Sequence, residues 1–438
     1  MRTRIIESSE TARVDALVRR AARRDGRIER RVARIVADVQ DRGDEAVLEY
    51  AQDLDGLDGP MEVPRAEMRR LARTVAPDVR NAISRAAAGI RAIASRQMPR
   101  GWRARTAPGV SIEQRVTPLD RVGCYVPGGR HPLPSSLLMT AIPARVAGVA
   151  EILAVCPNPA PAVMLAALEA GVGRMFRIGG AHAVAALAYG TRTVPRADKI
   201  VGPGNAWVAA AKALVSRDCA IDFFAGPSEI VVISTGGHPA WIAADLIAQA
   251  EHDPDARAIL LTPSRRLASA VAADLERQIP AGGPARAALA RNGGVILTRT
   301  IDEAIGLSQR IAPEHVVCDD EAVALRLTAA GTVFVGKWSA QALGDYLTGS
   351  NHVLPTSGAA RGRGGLSTAD FVRISTVQRV TQRGLRSIGP AAIALAQVEG
   401  LAGHAASIAI RTNAGPAKSK RQTPGTQSPG PKAQSPGA

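Results

Sequence analysis

The run Arg121-Val-Gly-Cys-Tyr-Val126, closed by Pro127-Gly128-Gly129, sets the architecture of the chain. A short, mostly apolar segment that stops at a proline and two glycines predicts a buried strand entering a turn of unrestricted backbone. A helix is expected from Ser135, and the pattern then repeats. Further strands are predicted near 152–155, 175–178, 199–201 and 221–224, separated by helices over 161–170, 181–189 and 205–216. Such alternation predicts an α/β protein with a parallel, doubly wound sheet. A second series starts at Glu229, with strands near 230–233, 258–262, 294–298, 316–318 and 333–335. Two α/β units with a groove between them suit an enzyme that holds cofactor on one side and substrate on the other.

On either side of this core the patterns differ. Residues 1 to about 97 read as helical, with Val32, Ile35, Val36 and Val39 at helical spacing among arginines. Asp41-Arg-Gly-Asp44 is expected to end one helix and cap the next. No chemistry is visible there, so a helical layer or dimer surface is expected. Residues 110–116 alternate like a strand. The segment 358–365 reads as a flexible Arg/Gly loop, and helical patterns return over 390–399 and 404–410. From Thr412 the chain is Pro, Ser, Gly, Lys and Gln, a composition that cannot bury enough surface to order itself.

Composition excludes several classes. The 438 residues are 46% hydrophobic, and no stretch has the uncharged apolar length of a membrane helix. The N-terminus lacks the apolar core of a secretory signal, so a cytoplasmic location is expected. Cys124, Cys156, Cys219 and Cys318 are far apart and form no Cys-x-x-Cys pair, which predicts reduced buried thiols. The net charge of +16 invites a nucleic-acid function, but 3% aromatic content starves any base-stacking platform. Much of the excess charge lies in the N-terminal helical region and the tail.

Glycines cluster where strands meet helices: Gly128-Gly129, Gly179-Gly180 and Gly202-Pro-Gly204-Asn205. At the carboxyl ends of parallel strands, such turns admit a phosphate beside a helix N-terminus. None is a full Gly-x-Gly-x-x-Gly, and each alone is as well explained as a tight turn. Further along, Gln249 and His252 stand three apart and share a helix face. Glu314 and His315 are adjacent before a strand, and Pro313 allows the backbone turn that would bring both to one cleft. Asp345 lies in Gly344-Asp-Tyr346. His352 follows Asn351 and either joins the site or organises its loop. In Glu399-Gly-Leu-Ala-Gly-His404, Gly400 and Gly403 are expected to break the helix. Gln249, His252, Asp345 and His404 together form an N/O donor set without thiolate, which suits zinc or manganese.

These segments together resemble the histidinol dehydrogenase family. The carriers are Val122-Gly-Cys-Tyr-Val-Pro-Gly-Gly129, Val201-Gly-Pro-Gly-Asn205, Ile221-Asp-Phe-Phe-Ala-Gly-Pro-Ser-Glu229, Gln249-Ala-Glu-His-Asp253, Ala312-Pro-Glu-His315, Gly344-Asp-Tyr346 with Asn351-His-Val-Leu-Pro-Thr356, and Glu399-Gly-Leu-Ala-Gly-His404. The resemblance runs from about residue 20 to 411. It implies two incomplete Rossmann-like doubly wound domains with small helical N- and C-terminal segments. The implied division is an N-terminal dimerisation segment (1–21), a metal and substrate domain (22–124 with 229–366), an NAD domain (125–228), a C-terminal helical domain (367–411) and a disordered basic tail (412–438).

The resemblance further implies one Zn2+ per subunit on Gln249, His252, Asp345 and His404, with Glu314 and His315 as the acid–base pair. Substrate contacts are implied for Ser228, Gln249, His252, His315, Asp345, Glu399 and His404, and NAD contacts for Tyr125, His182 and Asn205. The expected assembly is a homodimer in which the C-terminal segment completes the partner's site. Two positions depart from the family pattern. His182 stands where a glutamine that contacts NAD is usual, and Ala340-Gln341 replaces the usual Pro-Glu. The implied reaction is the four-electron oxidation of L-histidinol to L-histidine by two NAD, through bound L-histidinaldehyde. His315 is expected to take the alcohol proton and Glu314 to activate water for the second oxidation. The alternative is a relative acting on another small polyol, such as a sulfopropanediol. A non-catalytic RNA-binding protein and a zinc hydrolase are more distant readings.

Overall fold

The computed structural model describes residues 3–18, 25–128, 132–224 and 226–412. Gly129, the expected boundary at 21/22 and the tail from 413 onward lie outside the described residues. In chain order the strands are β1 (Ile5–Glu7), β2 (Trp102–Ala107), β3 (Val110–Pro118), β4 (Arg121–Tyr125), β5 (Glu151–Val155), β6 (Arg174–Phe176), β7 (Lys199–Val201), β8 (Ala220–Ile221), β9 (Glu229–Ile233), β10 (Arg257–Thr262), β11 (Gly293–Leu297), β12 (His315–Cys318), β13 (Thr332–Val335) and β14 (Val372–Val380). The chain divides into two compact units, Met1–Pro99 with Thr117–Arg373, and Arg100–Val116 with Ile374–Ala438.

The first unit holds two parallel sheets, ordered β6-β5-β4-β7-β8 and β1-β11-β10-β9-β12-β13. Strands such as β5 and β10 are continuous apolar runs because both faces are covered by helices. In the five-stranded sheet, Ile83, Ala87 and Ile90 of helix Pro77–Arg96 join Leu137 and Leu138 of helix Pro134–Ala147 and Val163 of helix Pro161–Ala170 on one face. On the other face, Val32, Ile35, Val36 and Val39 of helix Gly26–Arg42 pack with Val184 and Leu187 of helix Gly180–Tyr189. The helices at 26–96 therefore cover the sheet built from 121–221, whereas the expected grouping joined 22–124 with 229–366. The boundary at 124/125 would also cut β4. Apolar faces at helical spacing seek the nearest sheet face, and their partner is not written in their own sequence.

The N-terminal segment does join the six-stranded sheet. β1 pairs with β11 in parallel, Ile5 opposite Val295, and Val14 and Leu17 share a cluster with Ile233, Ile259 and Ile305. Gly43, between helices Gly26–Arg42 and Asp44–Asp55, fulfils the expected break at 41–44. The Arg/Gly segment is not a free loop. It forms a short 3-10 turn over Ala359–Arg361, Arg361 donates to the Arg310 carbonyl, and Arg363 donates to the Asp222 carbonyl.

The second unit is a three-stranded sheet, β14-β3-β2, with helices Gln382–Val398 and Ala402–Thr412. Pro390 lies inside the first helix and does not start it; buried Gly384 and Gly389 carry the turns around it. Gly400 (φ 72°) breaks the chain between the helices, whereas Gly403 is helical. All four cysteines are free and buried. No helix of the described residues is long and apolar enough to cross a membrane.

Candidate active site

In the five-stranded sheet the chain order reverses between β4 and β7, and ligands of such sheets bind at the carboxyl ends on either side of that reversal. Tyr125 ends β4 and Gly202 follows β7. Gly202 has φ +117°, and a Cβ there would stand 2.2 Å from the Tyr125 carbonyl oxygen, so only glycine fits. Three residues on, Asn205 caps helix Ala206–Val215, its Oδ1 accepting from the Trp207 (3.0 Å) and Val208 (3.2 Å) amides. The amide donors of Asn205 remain for a ligand. The Tyr125 hydroxyl accepts from the Gly180 N–H at 3.0 Å, and burial pushes its pKa up to about 12. Tyr125 therefore stays a neutral phenol with a proton to donate.

The His182 ring is fully buried, with Nε2 2.9 Å from Asp55 Oδ2, which also accepts from the Gly179 N–H at 2.7 Å. Nδ1 has no hydrogen-bond partner, and Tyr50 stacks on the ring at 6.0 Å. The imidazole braces the 179–182 turn from inside, through the Asp55 carboxylate that it shares with the Gly179 N–H.

In the six-stranded sheet the candidate residues sit at the opposite, amino edge. Ala312 is left-handed (φ 48°) and ends helix Ile301–Ile311. Pro313 and Glu314 then offer their carbonyls to Gly331 and Thr332, and β12 starts at His315. Glu314 precedes the ladder, which frees both side chains to turn to one neighbour, the main chain of Glu229. The Glu229 N–H donates to Glu314 Oε2 at 2.8 Å, and the Glu229 carbonyl lies 3.1 Å from His315 Nδ1. A carbonyl only accepts, so Nδ1 carries the proton and Nε2 keeps its lone pair. Burial raises the Glu314 carboxyl well above its ordinary value, with the charges of Glu229 and Asp345 adding to the shift. Burial pulls His315 down to about 4, against the opposing charge of Asp345. The pair is thus a shielded carboxyl and a neutral imidazole, tuned apart by their surroundings.

Asp345 lies on the short helix Ala342–Tyr346. Gly344 permits close approach to Phe334, since a Cβ there would meet that ring at 2.6 Å, and Phe334 in turn flanks the His315 ring at 5.9 Å. Two more residues join here: Gln341, not foreseen as a site member, and His352, for which the sequence left both roles open. Gln341, 1% exposed, donates to Asp345 Oδ2 at 3.0 Å and has Nε2 3.4 Å from His315 Nε2. His352 places Nδ1 3.0 Å from the Asp345 carbonyl, and burial lowers its pKa. Asn351 organises the loop by donating to the Met139 carbonyl at 2.7 Å. The departure at 340–341 was visible in the sequence; that Gln341 touches His315 was not.

Of the expected metal ligands, Gln249 ends helix Pro239–Ala250 and is 1% exposed, with Oε1 buried and without a partner. His252 follows it and is exposed, and Ser228 is half-buried with its carbonyl taken by the Arg257 N–H. His404 and Glu399 belong to the second unit and are exposed. Among the described residues, no three His, Cys, Asp or Glu side chains gather into a metal site. The donor chemistry nonetheless fits a cation. An amide oxygen buried without a donor partner is costly unless something positive meets it, and the expected set adds a carboxylate and imidazoles to it. A cavity of about 660 Å³ at the β1 edge, lined by Arg4, Arg13, Leu17 and Arg291 among others, holds none of these side chains.

The family described as histidinol dehydrogenase matches residues 18–412. The chain is 48% identical over 398 residues to a histidinol dehydrogenase of Cereibacter sphaeroides, covering 87% of this chain and 91% of that protein. It is 47% identical over 398 residues to one of Rhizobium meliloti, covering 88% and 92%. The crystal structure of histidinol dehydrogenase from Elizabethkingia anophelis matches with a TM-score of 0.89 at 32% identity, over 93% of this chain and 98% of that one.

Proposed function

The chain belongs to the histidinol dehydrogenase family, and from that premise we propose that it oxidises L-histidinol to L-histidine in two NAD-dependent steps, with His315 and Glu314 as the proton-handling residues. The observation that carries the proposal is the Glu229 main chain, which holds both side chains at 2.8 and 3.1 Å and leaves His315 Nε2 as a lone-pair nitrogen. That nitrogen takes the alcohol proton in the first step. Glu314, ionised, takes a proton from the water that adds to the aldehyde in the second. The shielded site keeps the aldehyde from solvent between the two.

Gln249, His252 and Asp345, with His404, are the residues that would hold a zinc ion. Zinc supplies orientation of the substrate's amine and imidazole nitrogens, and NAD supplies the hydride acceptor. Tyr125 and Asn205 offer hydrogen-bond donors to the dinucleotide, and His182 acts on it through the turn it braces. Ser228 and Glu399 complete substrate recognition, Glu399 as a carboxylate suited to a cationic amine. A homodimer, in which the C-terminal segment completes the partner's site, accounts for exposed His404 and Glu399. A sulfonated polyol is the less favoured substrate, because Glu399 would repel it. The test is NADH formation on adding L-histidinol, with and without a chelator. Turnover of such a diol but not of histidinol would overturn the proposal.

A further inference from the structure

Lys212 and Asp222 form a buried ion pair that takes no part in the proton transfers above. Their side chains are 4% and 1% exposed. Two charges removed from water persist only where their geometry and hydrogen bonds compensate them, and here both close on one residue, Gly202, through the two peptide groups that flank its Cα. Lys212 Nζ donates to the Gly202 carbonyl at 2.9 Å, and Asp222 Oδ2 accepts from the Gly202 N–H at 2.8 Å. Asp222 Oδ1 accepts from the Phe223 N–H at 2.7 Å. Gly202 is already wedged against the Tyr125 carbonyl at φ +117°. Gly204 is as tightly seated, since a Cβ there would meet Val208 at 2.3 Å. Both polar groups of the Gly202 main chain are thus clamped by opposite charges, at the start of the turn that delivers Asn205.

We propose that Lys212 and Asp222 are positioning residues for the dinucleotide turn. They hold the Gly202 peptide in its bound shape, so that binding costs little ordering of residues 202–205. They act through Gly202 and do not touch the cofactor. The inference rests on the dehydrogenase reading above, in which this end of the five-stranded sheet takes NAD.

Two variants test it: Lys212→Met, and the double Lys212→Met with Asp222→Asn. The double variant buries no unpaired charge and keeps an acceptor for the Gly202 N–H, so it stays informative if the single variant fails to fold. The NAD+ dissociation constant is measured by titration calorimetry, beside KM for histidinol and the melting temperature. We expect NAD+ affinity to fall at least about tenfold, equivalent to about 1.4 kcal/mol, with KM for histidinol within about twofold. A variant that melts earlier yet binds NAD+ like the parent would assign the pair a purely structural role and overturn the inference. Equal losses for both ligands would do the same. A parent enzyme that neither binds NAD+ nor turns over histidinol would instead sink the proposed function itself.

Discussion

Replacing Glu314 by glutamine separates the two oxidations. The substitution preserves shape, and the amide oxygen can keep the 2.8 Å contact from the Glu229 N–H. Glu314 Oε2 also stands 3.6 Å from His315 Nδ1, but Nδ1 keeps its bond to the Glu229 carbonyl and Nε2 stays unprotonated. The first step should therefore proceed within a few-fold of the parent rate. What disappears is the group that takes a proton from water. A positioned general base is worth about 10²–10⁴-fold, or about 2.7–5.5 kcal/mol of barrier, and that loss should fall on the second step alone. Single-turnover assays with excess NAD+ count NADH per histidinol. The parent yields two equivalents, and the variant should approach one, with the aldehyde captured by a hydrazine reagent. A variant that still delivers the second equivalent at the parent rate, or that loses both equally, refutes the assignment.

Three further outcomes are expected. Gln249→Leu removes the buried Oε1 that lacks a partner; zinc content after dialysis should drop, while the metal-free protein should melt no lower, since an unsatisfied buried acceptor costs about 1–3 kcal/mol. Gly202→Ala places a Cβ against the Tyr125 carbonyl at a left-handed φ, which should cost at least about 1–3 kcal/mol by calorimetry and weaken NAD+ binding. Because burial holds His315 at about 4, the imidazole protonates only as pH falls towards that value. The acid limb of kcat/KM for histidinol should then lie well below the ordinary imidazole range. The raised Glu314 carboxyl must ionise to act, so aldehyde oxidation should fail at a higher pH than alcohol oxidation. Coincident acid limbs would contradict both assignments.

The alternation of strands and helices was legible because strands buried on both faces are written as unbroken apolar runs, as in β5 and β10. β2 and β14 were not legible. They are exposed almost throughout, so no buried face marks them, and β14 joins β3 from more than 250 residues along the chain. β1 is three residues long and pairs with a strand beyond residue 290, so no local pattern announces it. At the candidate site, residue types and order pointed to Glu314, His315 and Asp345, which the fold brings near one another, and to Gln249, whose buried Oε1 lacks a partner. Glu229 escaped because its contribution is a peptide N–H and carbonyl, which every residue but proline owns. The burial of His182 was not legible, because a buried imidazole and an exposed one read alike in sequence; its partner Asp55 stands far upstream.

Glu314 and His315 hang from the amino edge of the six-stranded sheet, leaving its other rim outside the proposed reaction. The connections that leave β9 at 234–238 and β10 at 263–264 lie on that rim, where His238 stacks on Trp241 and Trp338 meets Trp241 at a tilt. Grafted epitopes, fluorescent labels or an appended module belong at those loops, where the same enzyme can be tethered or tracked while its chemistry continues on the far side of the sheet.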